Sequence, residues 1–277
     1  MVAKSALSSS PDRVVVEPVA NMYSAPNEKS DVASQAIIGS NVVTREIRRE
    51  WVRIRTDDEY SGWMERSALR EFGTFGPYGS HGPTVRIEAL FANVYQNPDI
   101  RAHKPLLTVP FGSLLELAPG GQGLRPRWLR ARLPDQRRVW IHRGDANRDP
   151  VPLTIPQSIE LAKRFLGVTY LWGGRSSYGY DCSGYTQMLV RSRGITMPRD
   201  TRLQAEWDGA EDVDRKRLIP GDLLFFGASR AEVNHTALYI GGGKMIHSST
   251  QNRPGVQISR LDDRPIGRRL IACRRVR

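Results

Sequence analysis

The chain has 277 residues, of which 39% are hydrophobic and 25% are charged. This composition is typical of a globular protein and not of a disordered one, and the length allows one large domain or two to three small ones. Only two cysteines occur, Cys182 and Cys273, which excludes a disulfide scaffold and a cysteine-rich zinc module. No stretch approaches the ~20 apolar residues of a membrane span, so we expect no membrane partner.

The net charge is +12, from 41 Lys and Arg against 29 Asp and Glu, and nearly all the cations are arginine. A basic surface attracts anions of many kinds, including nucleic acid, anionic wall polymers and acidic peptides. The charge is spread along the chain, and no nucleic-acid motif accompanies it. We therefore predict a solvated basic surface and no nucleic-acid partner.

The N-terminal segment bears on the cellular compartment. It contains Lys4 but no apolar core of the about 7–15 residues that a secretory signal requires. We therefore expect a cytoplasmic protein, although a periplasmic or secreted protein with a trimmed N-terminus would look the same.

An internal repeat divides the first half of the chain. Residues 20–26 match residues 92–98 at an offset of 72 residues. Later in each copy, two tryptophan pairs match at an offset of 77 residues: Trp51 with Trp128, and Trp63 with Trp140. An insertion of five residues explains the change of offset. The sequence therefore predicts two related domains, at 12–72 and 84–148.

Both copies are predicted to consist of short β-strands. Trp51–Arg55 alternates large apolar and charged side chains, as a half-buried strand does, and a turn signal follows at 57–59. The second copy has the same pattern at Trp128–Arg132, with Pro134 and Asp135 in its turn. Domains of about 60 residues with several short strands are best closed as small barrels, because barrels leave few open edges.

A third domain is predicted at 153–277, after a boundary marked by Asp149–Pro152. Thr154 is a candidate helix cap, with Pro156 in the first helical turn and Gly167 as the stop. The second helical pattern of this domain carries the chemistry described next.

Cys182 is predicted to lie at a helix N-terminus, because the residue spacing becomes helical from Ser183 onward. Unpaired N–H groups and the positive end of the helix dipole favour a thiolate at such a position. Cys273 lies in an apolar patch near the chain end, and we expect it to be a buried structural thiol.

His235 and His247 flank three consecutive glycines within a pattern that predicts a β-hairpin. If the hairpin is symmetric about Gly241, the two imidazoles are cross-strand neighbours on one face. This arrangement permits a catalytic triad like that of thiol hydrolases, with Cys182 as nucleophile, His235 as base and His247 as orienting group. A zinc site made of the same three side chains is the alternative, but no typical metal-ligand spacing accompanies it. We expect no metal and no cofactor.

Four features together resemble the NlpC-type cell-wall cysteine peptidases: the Asp181–Gly184 motif, His235 before an apolar strand, His247, and Pro220–Leu223. The likeness covers roughly residues 155–275. The Tyr-x-Gly-Trp strand of bacterial SH3-like domains is matched by Tyr60–Trp63. Two such domains narrow the resemblance to the γ-D-glutamyl-L-diamino acid peptidases of the dipeptidyl-peptidase VI type. It implies an α+β fold in which two small SH3-like β-barrels precede a papain-like catalytic domain.

The resemblance also implies a reaction and a set of site residues. The substrate is a peptidoglycan-derived peptide with a free N-terminal L-Ala, cut between γ-D-Glu and the diamino acid. Cys182 is implied as nucleophile, His235 as base and His247 as the residue that orients it. Six further residues are implied in substrate binding: Tyr60 and Asp200 beside the substrate amine, Thr201 in the same family stretch, Trp172 lining the pocket, and Asp181 and Ser183 flanking the peptide.

Several alternatives remain open at this point. Asp181 and Asp200 are also candidate helix caps, Tyr60 a candidate for barrel packing, and Trp172 a candidate core residue. Against this, an ammonium taken into a half-closed cleft needs an anion and acceptors, which Asp200 and Tyr60 supply. The alternative functions are an endopeptidase acting on polymeric peptidoglycan, a non-catalytic wall-binding protein, and an amidase or acyltransferase using the same Cys–His chemistry.

Overall fold

The first half of the chain is built from short strands whose buried and exposed residues alternate. In Trp51–Arg55, Val52 and Ile54 are buried and Arg53 is exposed, which confirms the strand predicted there. The computed structural model describes residues 10–74, 76–101, 104–119, 126–263 and 269–277. The chain divides into two units, Met1–Pro150 and Val151–Arg277.

The first unit contains two seven-stranded sheets with antiparallel neighbours. The strands of the first sheet are β1 (Arg13–Val15), β2 (Val19–Tyr23), β3 (Val32–Ile37), β4 (Asn41–Arg48), β5 (Trp51–Arg55), β6 (Ser61–Glu65) and β7 (Leu69–Glu71). Those of the second are β8 (Thr84–Ile87), β9 (Phe91–Tyr95), β10 (Leu107–Pro110), β11 (Leu114–Leu117), β12 (Trp128–Arg132), β13 (Arg138–His142) and β14 (Ala146–Asn147).

The two sheets have the same strand order. The first runs β3-β2-β6-β5-β4-β1-β7 and the second β10-β9-β13-β12-β11-β8-β14, so each strand corresponds to the one seven places earlier. The turns after β5 and β12 contain Glu59 and Gln136, whose φ angles are positive at 63° and 74°. These two residues are separated by the 77-residue offset of the sequence repeat. The repeat in sequence is therefore a repeat of strand topology.

Tyr78, in the segment between the sheets, ties the first sheet to the second. Asn41 Nδ2 donates to the Tyr78 carbonyl at 2.8 Å. The Tyr78 hydroxyl donates to the Arg132 carbonyl and accepts from the Glu116 N–H at 2.9 Å. The side chain is buried. The Gly/Pro-rich segment 72–83, of which Phe75 lies outside the described residues, thus contains an anchored aromatic residue.

Replacing Tyr78 with phenylalanine is expected to destabilise the first unit by about 1–3 kcal/mol, because a buried N–H and a buried C=O lose their partner. Urea unfolding followed by tryptophan fluorescence measures this change. Tyr23→Phe is the matched control, since its half-buried hydroxyl lies 3.4 Å from Asn21 Nδ2 and makes a weak contact. Equal urea midpoints for Tyr78→Phe and wild type would contradict the anchoring role.

The second unit packs helices against a six-stranded antiparallel sheet. Its helices are α1 (Ile155–Arg164), α2 (Cys182–Ser192) and α3 (Thr201–Glu206). Its strands are β15 (Arg175–Ser176), β16 (Gly179–Tyr180), β17 (Ala210–Asp212), β18 (Leu223–Gly227), β19 (Val233–Gly241), β20 (Lys244–Ser249), β21 (Gly255–Arg260) and β22 (Leu270–Val276). The strand order in the six-stranded sheet is β17-β22-β18-β19-β20-β21. Among the described residues, no helix has the length and apolar character needed to cross a membrane.

Helix α1 begins as its sequence predicts. Thr154 Oγ1 accepts from the Gln157 N–H, and the Gln157 side chain accepts from the Thr154 N–H, which completes a capping box. Pro156 occupies the first turn, where its missing N–H costs nothing. Gly167 follows the helix end with a φ of 85°, a value that favours glycine.

Three aromatic rings form the core between α1 and α2. Phe165 packs edge-on against Tyr180 and Tyr185, with ring centroids 5.6 Å and 6.3 Å apart. The Tyr185 hydroxyl donates to the Ala162 carbonyl at 2.8 Å, so its buried polar atom is satisfied. This packing fixes α2, and with it the residue at the start of α2, against the rest of the unit.

Candidate active site

Cys182 is the first residue of α2, which confirms its predicted place at a helix N-terminus. Asp181 is the N-cap, and its side chain accepts from the Gly184 N–H at 2.7 Å. Gly184 has no room for a side chain, because a Cβ there would lie 2.2 Å from the Gly174 carbonyl oxygen. The Asp-Cys-Ser-Gly motif therefore combines a cap, a thiol and a close approach of two backbone segments.

The thiol of Cys182 is almost fully buried and lies among polar groups. Its Sγ is 3.7 Å from Thr201 Oγ1. Burial raises the pKa of Cys182, as does the Asp181 carboxylate. Hydrogen bonds from Thr201 and from the Thr236 backbone, together with the charge of Arg199, act in the opposite direction. Because the net pKa shift is upward, the resting group is a thiol, and a base is needed to remove its proton.

The hairpin that carries both histidines has a register different from the predicted one. Leu238 pairs with Ile246. The hairpin is therefore symmetric about Gly242, the middle of the three glycines, and not about Gly241. The predicted pairing of His235 directly opposite His247 is therefore wrong by two residues. The pairing is irregular around Ile240, where the strand bulges. An even shift keeps both imidazoles on the same face of the sheet, now as diagonal neighbours.

The two imidazoles are in direct contact and continue to a third side chain. His235 Nε2 lies 2.7 Å from His247 Nδ1, and His247 Nε2 lies 3.0 Å from Ser259 Oγ. With one choice of imidazole tautomers, His235 Nε2–H donates to His247 Nδ1, and His247 Nε2–H donates to Ser259 Oγ. The other ring nitrogen of His235, Nδ1, is then an acceptor that can take a proton. The sequence did not indicate Ser259.

Burial keeps both histidines uncharged at neutral pH. It lowers the pKa of His235 to about 3, with a smaller contribution from a charge on His247. Burial likewise lowers the pKa of His247 to about 4. A neutral imidazole is the form that a general base requires, so His235 is in the form needed to accept the proton of a thiol.

Asp181 and Ser183, predicted beside the substrate, contact Arg199. The Arg199 guanidinium donates to both oxygens of Asp181, at 3.1 Å and 2.6 Å. It also donates to Ser183 Oγ at 2.7 Å. All three side chains are buried. Asp181 therefore does cap α2, and the role of Asp181 and Ser183 in substrate binding stays a prediction.

The remaining predicted site residues have different surroundings. Trp172 is 68% exposed, so it is not a core residue. Asp200 occupies the N-cap position of α3 without making the side-chain capping bond, and Thr201 next to it contacts the Cys182 sulfur. Tyr60, in the first unit, packs against the core of the first sheet. The substrate roles of these residues stay predictions.

Tyr170 is a site residue that the sequence alone did not single out. Its pKa is raised above the ordinary tyrosine value by burial and by the charges of Cys182 and Asp181. A protonated phenol is a hydrogen-bond donor. Its position two residues before Trp172 was the available signal.

Cys273 has the surroundings expected of a structural thiol. It lies in the apolar cluster of β18, β19 and β22 with Leu224, Phe226 and Ala237. Burial raises its pKa to about 11, so it remains protonated at neutral pH. Within the described part of the chain, no group of three or more His, Cys, Asp or Glu side chains is arranged to hold a metal ion.

Two family profiles match the chain. The NlpC/P60 family matches residues 167–275, which contain the thiol and both histidines. The bacterial dipeptidyl-peptidase Sh3 domain matches residues 22–69, within the first sheet.

Relatives match over most of the chain. A γ-D-glutamyl-L-lysine dipeptidyl-peptidase of Bacillus cereus is 33% identical over 236 residues, covering 79% of this chain and 68% of the relative. The protein of the same name from Bacillus subtilis is 28% identical over 259 residues, covering 88% and 81%. The crystal structure of an NlpC/P60 family protein from Bacillus cereus superposes with a TM-score of 0.83 at 27% identity, covering 96% of this chain and 99% of the other.

Proposed function

The chain belongs to the NlpC/P60 family of cysteine peptidases, and we propose that it hydrolyses the γ-D-Glu–diamino acid bond of muropeptides with a free N-terminal L-Ala. The observation that carries this proposal is the placement of Cys182 at the start of α2 together with the His235–His247–Ser259 chain. The names of the two Bacillus relatives specify the bond type.

In the proposed mechanism, His235 Nδ1 takes the proton of the Cys182 thiol, and the sulfur attacks the γ-carbonyl carbon of D-Glu. The Cys182 backbone N–H at the helix start and the Tyr170 hydroxyl stabilise the oxyanion. His235 then gives its proton to the leaving amine of the diamino acid. Water, deprotonated by His235, hydrolyses the thioester and restores the thiol.

Selection of the free amine is proposed to depend on Asp200. The resemblance assigns the substrate ammonium to Asp200, which lies at the N-cap position of α3. Thr201 links that subsite to the nucleophile through its contact with the sulfur. A peptide without the ammonium lacks this charge-assisted contact with Asp200, which is a basis for its rejection. The contribution of Tyr60 is a prediction from the resemblance.

Both sheets of the first unit are proposed to be SH3-like barrels. The family profile covers the first sheet alone. The identical strand order and the matched positive φ of Glu59 and Gln136 support the same assignment for the second sheet.

The test compares L-Ala-γ-D-Glu-meso-diaminopimelate with its N-acetylated form, with release of the diamino acid followed by chromatography. We expect the free peptide to be cleaved and the acetylated one to be turned over at least about 10³-fold more slowly. Equal turnover of the two peptides would refute the proposal that the enzyme selects for a free amine. Cleavage of intact sacculi in preference to either peptide would favour an endopeptidase, and no cleavage of any substrate would favour a wall-binding protein.

A further inference from the structure

Arg199 is a fully buried cation next to the proposed nucleophile. It is 1% exposed, and it is the largest of the fully buried side chains among the described residues. Removing a guanidinium from water is costly unless its donors are satisfied by a well-placed anion. Here the pairing with Asp181 is bidentate, the strongest geometry for an arginine and a carboxylate.

The position of Asp181 creates an electrostatic conflict at Cys182. As the N-cap, its carboxylate stabilises α2 by accepting the Gly184 N–H. As the residue preceding Cys182, the same carboxylate places a negative charge beside the sulfur, which opposes formation of a thiolate. A helix start that both keeps an Asp cap and yields a thiolate needs a compensating cation.

The loop that contains Arg199 is fastened to α2 by a buried amide. Gln204 Nε2 donates to the carbonyls of Ser183 at 3.0 Å, Pro198 at 2.9 Å and Arg199 at 3.3 Å. Thr186 Oγ1 in turn donates to Gln204 Oε1 at 3.0 Å. These bonds hold the guanidinium in register with the first turn of α2.

We propose that Arg199 is a positioning residue for the nucleophile. Its guanidinium neutralises the Asp181 cap, so that α2 keeps its capping carboxylate without a net negative charge at the Cys182 sulfur. The proposal rests on Cys182 being the nucleophile. Among the described residues, the charges of Asp181 and Arg199 act on that sulfur, and the sulfur in turn acts on Tyr170. His235 joins these groups in the proposed mechanism.

The test measures how fast iodoacetamide alkylates Cys182 between pH 7 and pH 12, with the modified peptide identified by mass spectrometry. This readout requires no peptide substrate, so it can succeed or fail independently of the proposed peptidase reaction. We expect Arg199→Met to move the midpoint of thiol ionisation upward by about one pH unit or more. Asp181→Asn, which keeps a capping side chain, is expected to move it downward.

The double variant Asp181→Asn/Arg199→Met separates charge from structure. Replacing both partners of a buried ion pair with neutral groups is often tolerated, so this variant keeps the proposal testable if Arg199→Met fails to fold. We expect its midpoint to return to within about half a pH unit of wild type. A midpoint as high as that of Arg199→Met, or an Asp181→Asn midpoint no lower than wild type, would overturn the proposal.

Arg275→Met is the matched control for loss of an ion pair. Arg275 makes a bidentate pair with the buried Asp222 in the same unit, at 2.8 Å and 2.9 Å. We expect this variant to lower thermal stability without moving the Cys182 midpoint. If Arg275→Met shifts the midpoint as far as Arg199→Met does, the effect is general destabilisation and the positioning role is wrong.

Discussion

Replacing Cys182 with alanine is expected to lower kcat/KM for the free-amine muropeptide by at least about 10⁴-fold, since the proposed reaction passes through a thioester on this sulfur. The loss follows from the chemistry and not from the fold. The side chain is small, and the first turn of α2 is held by Asp181, Gly184 and Arg199. Burst-phase kinetics add a second measurement, because a variant without the sulfur cannot accumulate an acyl-enzyme.

Cys273→Ala is the control for this experiment. Both thiols are buried, but Cys273 packs in an apolar cluster. We expect Cys273→Ala to lower the urea midpoint slightly and to leave kcat/KM unchanged. Hydrolysis by Cys182→Ala at the wild-type rate, or loss of activity in Cys273→Ala alone, would refute the assignment of the nucleophile.

Signals confined to a few neighbouring residues predicted local structure correctly. Thr154 and Pro156 mark the start of α1 because capping and the first-turn proline act within one helical turn. Cys182 at the start of α2 follows from the same kind of local chemistry. The alternation of apolar and charged residues in Trp51–Arg55 predicted a strand correctly, because it depends only on the burial of one face of that strand.

The register of the histidine hairpin could not be predicted from spacing. Gly241, Gly242 and Gly243 all have positive φ, at 90°, 59° and 69°, so each was able to serve as the centre of the turn. The bulge near Ile240 adds a residue to one strand, and sequence symmetry does not encode it. The face shared by His235 and His247 was nevertheless correct, because the error was an even number of residues.

Ser259 and Arg199 were missed for a related reason. Each meets its partner only after the chain has folded back: Ser259 across β20 and β21, and Arg199 from the loop after α2. Nothing in its sequence neighbourhood distinguishes Ser259 from an ordinary strand serine. Arg199 lies beside Asp200 and Thr201 in the stretch that resembles the family, but the sequence did not indicate its contact with Asp181. Motifs therefore indicated the thiol and the two histidines, and the tertiary structure added the contacts of Ser259 with His247 and of Arg199 with Asp181.

Replacing His235 with glutamine is expected to lower kcat/KM by about 10²–10⁴-fold, the usual contribution of a general base that also acts as general acid. Glutamine retains a hydrogen-bond partner for His247 but cannot exchange a proton at neutral pH. His142→Gln is a suitable control, since His142 is an exposed residue of the first unit. Equal losses in the two variants would contradict the assignment of the base.

The pH profile of the wild type tests the same assignment without a mutation. His235 must be neutral to act, and burial lowers its pKa to about 3, so the acid limb of kcat/KM is expected well below the ordinary histidine value of about 6.5.

The stability of the fold also limits the pH range in which activity can be measured. The unfolded chain protonates these histidines near pH 6.5, whereas folded His235 and His247 protonate at about 3 and about 4. The unfolded state therefore binds more protons in this interval, and the free energy of unfolding falls as the pH falls through it. Circular dichroism at each pH separates loss of fold from loss of catalysis. An acid limb at or above pH 6.5 in fully folded protein would show that His235 is not the buried neutral base.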